Sequence, residues 1–187
     1  MRATEQLTAE HNGIKLMLRI LDKMCARLKS GEKVPPEHLD QVLEFLGVFA
    51  DRCHHAKEEE LLFPAMEKAG VSKEQGPIGV MLAEHTMARE QVKGLAEGIA
   101  RYEAGDNGAA DKIVEYARAY IRILMAHIDK EDHVLYPLAD ARLAKGTQDD
   151  LVEEFERIET ERIGAGRHEQ FHAVLKDLKS VYLDGRK

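Results

Sequence analysis

The chain has 187 residues, enough for one domain with its own apolar core and hardly enough for two. Charged residues make up 33% and hydrophobic ones 44%, which excludes a disordered tail. The 27 Lys and Arg against 34 Asp and Glu give a net charge of −7, which argues against a general nucleic-acid binder.

No apolar run approaches the roughly 20 residues that cross a bilayer. Met1 to Leu16 has no continuous apolar core like that of a signal peptide. Cys25 and Cys53 do not make a disulfide framework, so a cytoplasmic protein with no membrane partner is expected.

Gly and Pro cluster at Ser30-Gly31 with Pro35-Pro36, at Gly70 to Gly79, at Gly105 to Gly108, at Lys145-Gly146 and at Gly164-Ala165-Gly166. The stretches between are rich in strong helix formers. Apolar residues recur at helical spacing, as in Ile14, Leu18, Leu21 and Cys25, and in Ile113, Ala117, Tyr120, Leu124 and Ile128. The pattern predicts an all-α fold with long helices over 5–29, 36–69, 77–104 and 109–144, and shorter ones over 148–162 and 167–182. Short loops make antiparallel neighbours. The expected architecture is therefore an up-down four-helix bundle over 1–145 with a C-terminal helical extension, 146–187, packed on it.

The two halves of the long-helix region repeat. Thr-Ala-Glu-His ends at His11 and Leu-Ala-Glu-His ends at His85, an offset of 74. HHAKEEELLFP at 54–64 matches HIDKEDHVLYP at 127–137, an offset of 73. Each half thus carries a lone His and then a His-x-x-x-Glu pair. Positions i and i+4 share one helix face, so His54 with Glu58, and His127 with Glu131, point the same way. If those faces turn inward, four imidazoles and two carboxylates meet. Burying them without partners costs several kcal/mol per ionised group, and a bound divalent metal removes that cost. Mixed nitrogen and oxygen donors suit iron or manganese. The repeat aligns His54, rather than His55, with His127. On an α-helix His55 and Glu59 then lie about 100° away, facing outward. Glu10 and Glu84 are expected on a solvated face, with an orienting role toward the imidazoles as the alternative. Cys53 and Cys25 fit small buried residues, and Phe63 and Tyr136 fit core, although the Tyr136 hydroxyl could reach a bound oxygen species.

The ordered set His11, His54-x-x-x-Glu58 with Leu62-Phe63-Pro64, His85, and His127-x-x-x-Glu131 with Leu135-Tyr136-Pro137 resembles the hemerythrin HHE family of cation-binding domains over roughly residues 5–140. The resemblance implies a non-haem di-iron centre bridged by two carboxylates and an oxygen atom, with iron ahead of manganese or zinc. It also implies O2, NO or peroxide as the small ligand, and an electron donor the sequence does not identify. Two departures stand out. Oxygen carriers of the family have a second His one turn after the third-helix His, where this chain has Arg89, with Lys15 as its repeat mate. They also place an Asp five residues after the last His, where this chain has the His127-x-x-x-Glu131 spacing. The vacancy at Arg89 motivates the expectation that His168, after the Gly164-Ala165-Gly166 hinge, folds over the bundle end and supplies a metal ligand. A binding protein for sensing, storage or detoxification, a peroxidase-like, catalase-like or NO-reducing enzyme, an iron-handling protein and a metal-free helical interaction protein all remain open at this point.

Overall fold

The computed structural model describes residues 1–106 and 108–185, and every regular element among them is helical. Helix α1 covers Ala3–Lys29. Helix α2 runs without a break over 36–68, starting on Pro36, whose missing N–H is one the first turn leaves unbonded in any case. Helix α3 is Pro77–Glu103, and α4 runs over 109–142. Helix α5 covers 145–164, and α6 is Arg167–Tyr182. The turn between α5 and α6 uses Gly164 and Gly166 at φ +104° and +79°, a conformation that strains any residue with a Cβ.

Parts of α2, α4 and α5 are wound as π-helix: Phe45–His55 and Glu58–Leu62 in α2, Glu131–Leu135 in α4, and Ile158–Gly164 in α5. Pro64 and Pro137 stand two residues past the ends of two of these segments, after Phe63 and Tyr136. A proline lacks the N–H and clashes with the carbonyl one turn back. The wider π turn ahead of it absorbs that clash, and both helices continue through the proline instead of ending there.

Helices α3 and α4 make the most extensive pairing, and α1 packs on α4. The α3–α4 approach is close at Gly94, where a Cβ would sit 2.3 Å from the Tyr116 ring. The apolar core falls into two clusters. One gathers Ile14, Leu18 and Leu21 of α1 with Phe45 and Phe49 of α2, Ile113 and Leu124 of α4, and Phe171 and Leu175 of α6. The other gathers Leu7, Phe63, Met66, Met81 and Tyr136 with Leu151 and Phe155 of α5. Each fully buried Leu, Ile or Phe contributes about 1.5–3 kcal/mol. Between the clusters, on all four long helices, lies a polar layer that contributes nothing of that kind. His11 falls between Leu7 and Ile14 on α1, and His85 between Met81 and Ala88 on α3. No helix among the described residues is long and apolar enough to cross a membrane.

Candidate metal centre

His11, His54, Glu58, His85, His127 and Glu131 are all buried and all meet in this layer. His11 Nε2 lies 3.1 Å from His54 Nε2, and His85 Nε2 lies 3.0 Å from His127 Nε2. The two carboxylates join these pairs. Glu131 places Oε2 3.2 Å from His11 Nε2 and Oε1 2.9 Å from His127 Nε2. Glu58 places Oε2 3.4 Å from His85 Nε2 and 3.8 Å from His54 Nε2. Its Oε1 accepts a hydrogen bond from the Tyr136 hydroxyl at 2.8 Å.

Each imidazole is held from behind by a carboxylate. His11 Nδ1 donates to Asp132 at 2.7 Å, and His85 Nδ1 to Glu59 at 2.6 Å. His54 Nδ1 donates to Glu10 at 2.8 Å, and His127 Nδ1 to Glu84 at 2.9 Å. Every one of these carboxylates has its own cation: Lys15 on Asp132, Arg89 on Glu59, Lys57 on Glu10 and Lys130 on Glu84. The arrangement obeys the 73- and 74-residue offsets, so the repeat extends one shell beyond the donors. Such partners fix the tautomer and orientation of a ligating imidazole.

The proton arithmetic defines what the cluster can do. An ionised carboxylate only accepts, so each Nδ1 carries the hydrogen and a neutral ring presents a bare lone pair at Nε2. Two lone pairs 3.0 Å apart repel unless a proton or a cation is shared among them. Burial opposes charge on His11 and His85. The carboxylates of Asp132 and Glu131 beside His11, and of Glu58 and Glu59 beside His85, nevertheless raise both pKa values to about 9. Without a metal the layer therefore holds protons at neutral pH, and a cation would take their place. Glu58 resists burial as well: His54 and His85 beside it hold its carboxyl well below the usual range. Both oxygens of Glu131, Glu58 Oε2 and His55 Nε2 are buried without a hydrogen-bond partner. Orphaned oxygens and a lone-pair nitrogen converging on one layer fit a metal centre. Among the described residues, two groups of side chains could hold an ion, His11 with His54 and Glu131, and His55 with Glu58, His85 and His127.

Four expectations from the sequence need correction. His55 is not outward-facing; it is 2% exposed and stacks on His85 with ring centroids 3.9 Å apart. The reason is the π-wound stretch Phe45–His55. The extra residue per turn reduces the rotation between neighbours, so two consecutive histidines face inward. Glu59 does not face outward either, since it accepts from His85. Glu10 and Glu84 are not a solvated face, for they orient His54 and His127. His168 lies apart from the cluster, its ring against Phe49 and His172, at 5.3 and 4.7 Å between centroids. Cys53 is buried, and burial pushes its thiol up to about 12, so it stays protonated beside His54. Glu10, Lys57, Glu84 and Lys130 carried a signal that was available in the sequence, because they recur at the same offsets as the histidines.

Comparison with known proteins agrees with this layout. The family model for the hemerythrin HHE cation binding domain matches residues 2–139. An uncharacterized protein of Mycobacterium tuberculosis strain H37Rv and one of Mycobacterium bovis are each 28% identical over 162 residues, 87% of this chain and 63% of theirs. The iron-sulfur cluster repair protein YtfE of Yersinia pestis strain Pestoides F is 35% identical over 89 residues, 46% of this chain and 40% of its own. The chain thus spans less than two thirds of the curated relatives named here. No solved structure matches.

Proposed function

The chain belongs to the hemerythrin HHE cation-binding domain family, and from that premise we propose that it is a non-haem di-iron protein, an up-down four-helix bundle whose centre binds O2, NO or peroxide. The observation that carries this reading is the layer of imidazole lone pairs and orphaned carboxylate oxygens buried between two apolar clusters. His11 and His54 would hold one iron and His85 and His127 the other. Glu58 and Glu131 each reach both pairs. Bound iron would supply electrons and an open coordination position for the small ligand.

The chain's own residues do the rest. The carboxylates behind the rings keep each Nε2 aimed into the layer. Tyr136 keeps its proton, since burial and the neighbouring Glu131 and Glu58 raise its pKa well above the ordinary value. Its hydroxyl, 3.3 Å from His11 Nε2, is the hydroxyl donor at the centre; the repeat mate Phe63 has none. The apolar clusters above and below exclude bulk water, which strengthens every electrostatic contact inside.

The experiment is iron reconstitution of the full chain with an iron count and an optical spectrum. The reduced protein is then mixed anaerobically with O2, NO or peroxide. A reversible coloured adduct supports a binding protein for sensing or storage. Rapid return to the oxidised resting spectrum, or O2 evolution from peroxide, supports an enzyme. Fewer than one iron per chain would refute the proposal. A second reading, iron handling, draws on the likeness to the Yersinia iron-sulfur cluster repair proteins over 46% of the chain. It requires that reduced iron leave readily to a chelator, whereas a resident cofactor stays.

A further inference from the structure

Building on the di-iron reading above, we propose that His55 is a third imidazole ligand on the His85–His127 side, so that the two metal positions are unequal and the open position falls between His11 and His54. Its Nε2 is buried and lacks a hydrogen-bond partner. One ring nitrogen of His55 and single donor atoms of Glu58, His85 and His127 all lie within 4.8 Å of one another. Its Nδ1 faces Asp51 Oδ1 at 3.2 Å, and Asp51 is in turn gripped by Arg89 at 2.7 Å. This is the same ring–carboxylate–cation relay that aims the other four imidazoles, so His55 is oriented as they are.

Arg89 has a double duty here. One guanidinium binds both Glu59, which orients His85, and Asp51, which orients His55. The position where the oxygen carriers of the family would offer a fifth imidazole thus aims an imidazole supplied from α2 instead. The repeat gives His55 no counterpart: its mate is Ile128, a buried residue of the apolar core. A metal that takes six donors would receive three imidazoles on one side and two on the other. The small ligand would then meet the two-imidazole side, where the Tyr136 hydroxyl stands.

A rival role exists, because His55 also borders a cavity of about 240 Å³ lined by Leu46, Ala88, Val92 and Tyr120. The test separates the two. The full chain is loaded with isotopically enriched iron(II), oxidised, and examined by Mössbauer spectroscopy together with an iron count. The wild-type chain is expected to give two quadrupole doublets of equal area, one for each kind of iron. His55→Leu is expected to keep both irons while the two doublets draw together. Asp51→Asn leaves the ring in place but loosens its aim, so it shifts the same doublet less. If His55→Leu is not helical by circular dichroism, the Asp51→Asn spectrum decides. A single doublet in the wild-type chain, or variant spectra identical to wild type, overturns the role of His55 while leaving the di-iron reading intact. Failure of the wild-type chain to take up iron overturns both.

Discussion

On the first-half side of the centre, Glu10 links His54 to Lys57, and the two charged side chains are 5% and 0% exposed. Helix α5 lies over them: Glu159 also binds Lys57, and the Lys57 ammonium stands 5.6 Å from the Phe155 ring centroid. On the second-half side, Glu84 links His127 to Lys130, and these side chains are 18% and 39% exposed. The residues, spacing and chemistry are the same, and only the cover differs. An ion pair out of water has no solvent to fall back on when one partner is lost, whereas an exposed pair does. The helices after the repeat therefore make equivalent positions unequal in energy, much as His55 makes the two donor sets unequal in number.

The sharpest break of this comparison is Lys57→Ala. It strands Glu10 in the interior and should cost about 3–5 kcal/mol in chemical denaturation of the metal-free chain. A loss below that of Lys130→Ala would show that α5 does not insulate the relay.

The next effect is on pH. In the metal-free chain the folded pKa values of His11 and His85 are about 9 against an ordinary 6.5. Their stabilisation is complete below pH 6.5 and is lost as pH rises through 9. The denaturation midpoint should decline across that window, and His11→Gln and His85→Gln should each flatten the decline. A midpoint that climbs from neutral to alkaline pH contradicts the proton-holding layer. Metal uptake should run the opposite way and release protons, because cations replace them. Asp132, held at about 2 by His11 and Lys15 despite burial, contributes stability that is complete above pH 3.8 and lost as pH falls from there through about 2.

A smaller effect concerns affinity. Glu10→Gln and Glu84→Gln remove the charge behind one imidazole each and should weaken metal binding about 10–100-fold, with the sheltered Glu10 at the larger end. Competition against a chelator measures both, and equal losses would say that cover does not matter to the metal. The smallest effect is Lys130→Ala, expected to change stability by less than about 1 kcal/mol because water replaces the lost contact.

Much of this was legible before any coordinates. The helix boundaries lie within a few residues of those predicted, because Gly and Pro punctuate long runs of strong helix formers. The six side chains meet in one buried layer, since i and i+4 spacing on two matched helices leaves few other ways to bury a common face. Glu10 and Glu84 were written in the same offsets but were placed first on a solvated face, with the orienting role that the structure shows as the alternative. Glu84 and Lys130 keep partial exposure, 18% and 39%, and a single residue cannot announce its neighbour's burial. His168 was misplaced because a vacancy and a hinge say that a ring could reach, not that it does.

The repeat and the helical period alone determined that two lone histidines and two His-x-x-x-Glu pairs share an interior layer, because side-chain direction along a helix is a local property. Which further groups join that layer was decided by tertiary structure. The π winding that swings His55 inward, and the burial of Lys57 beneath Phe155, depend on the register between helices far apart in the chain. That register is set by packing and has no counterpart in any local spacing.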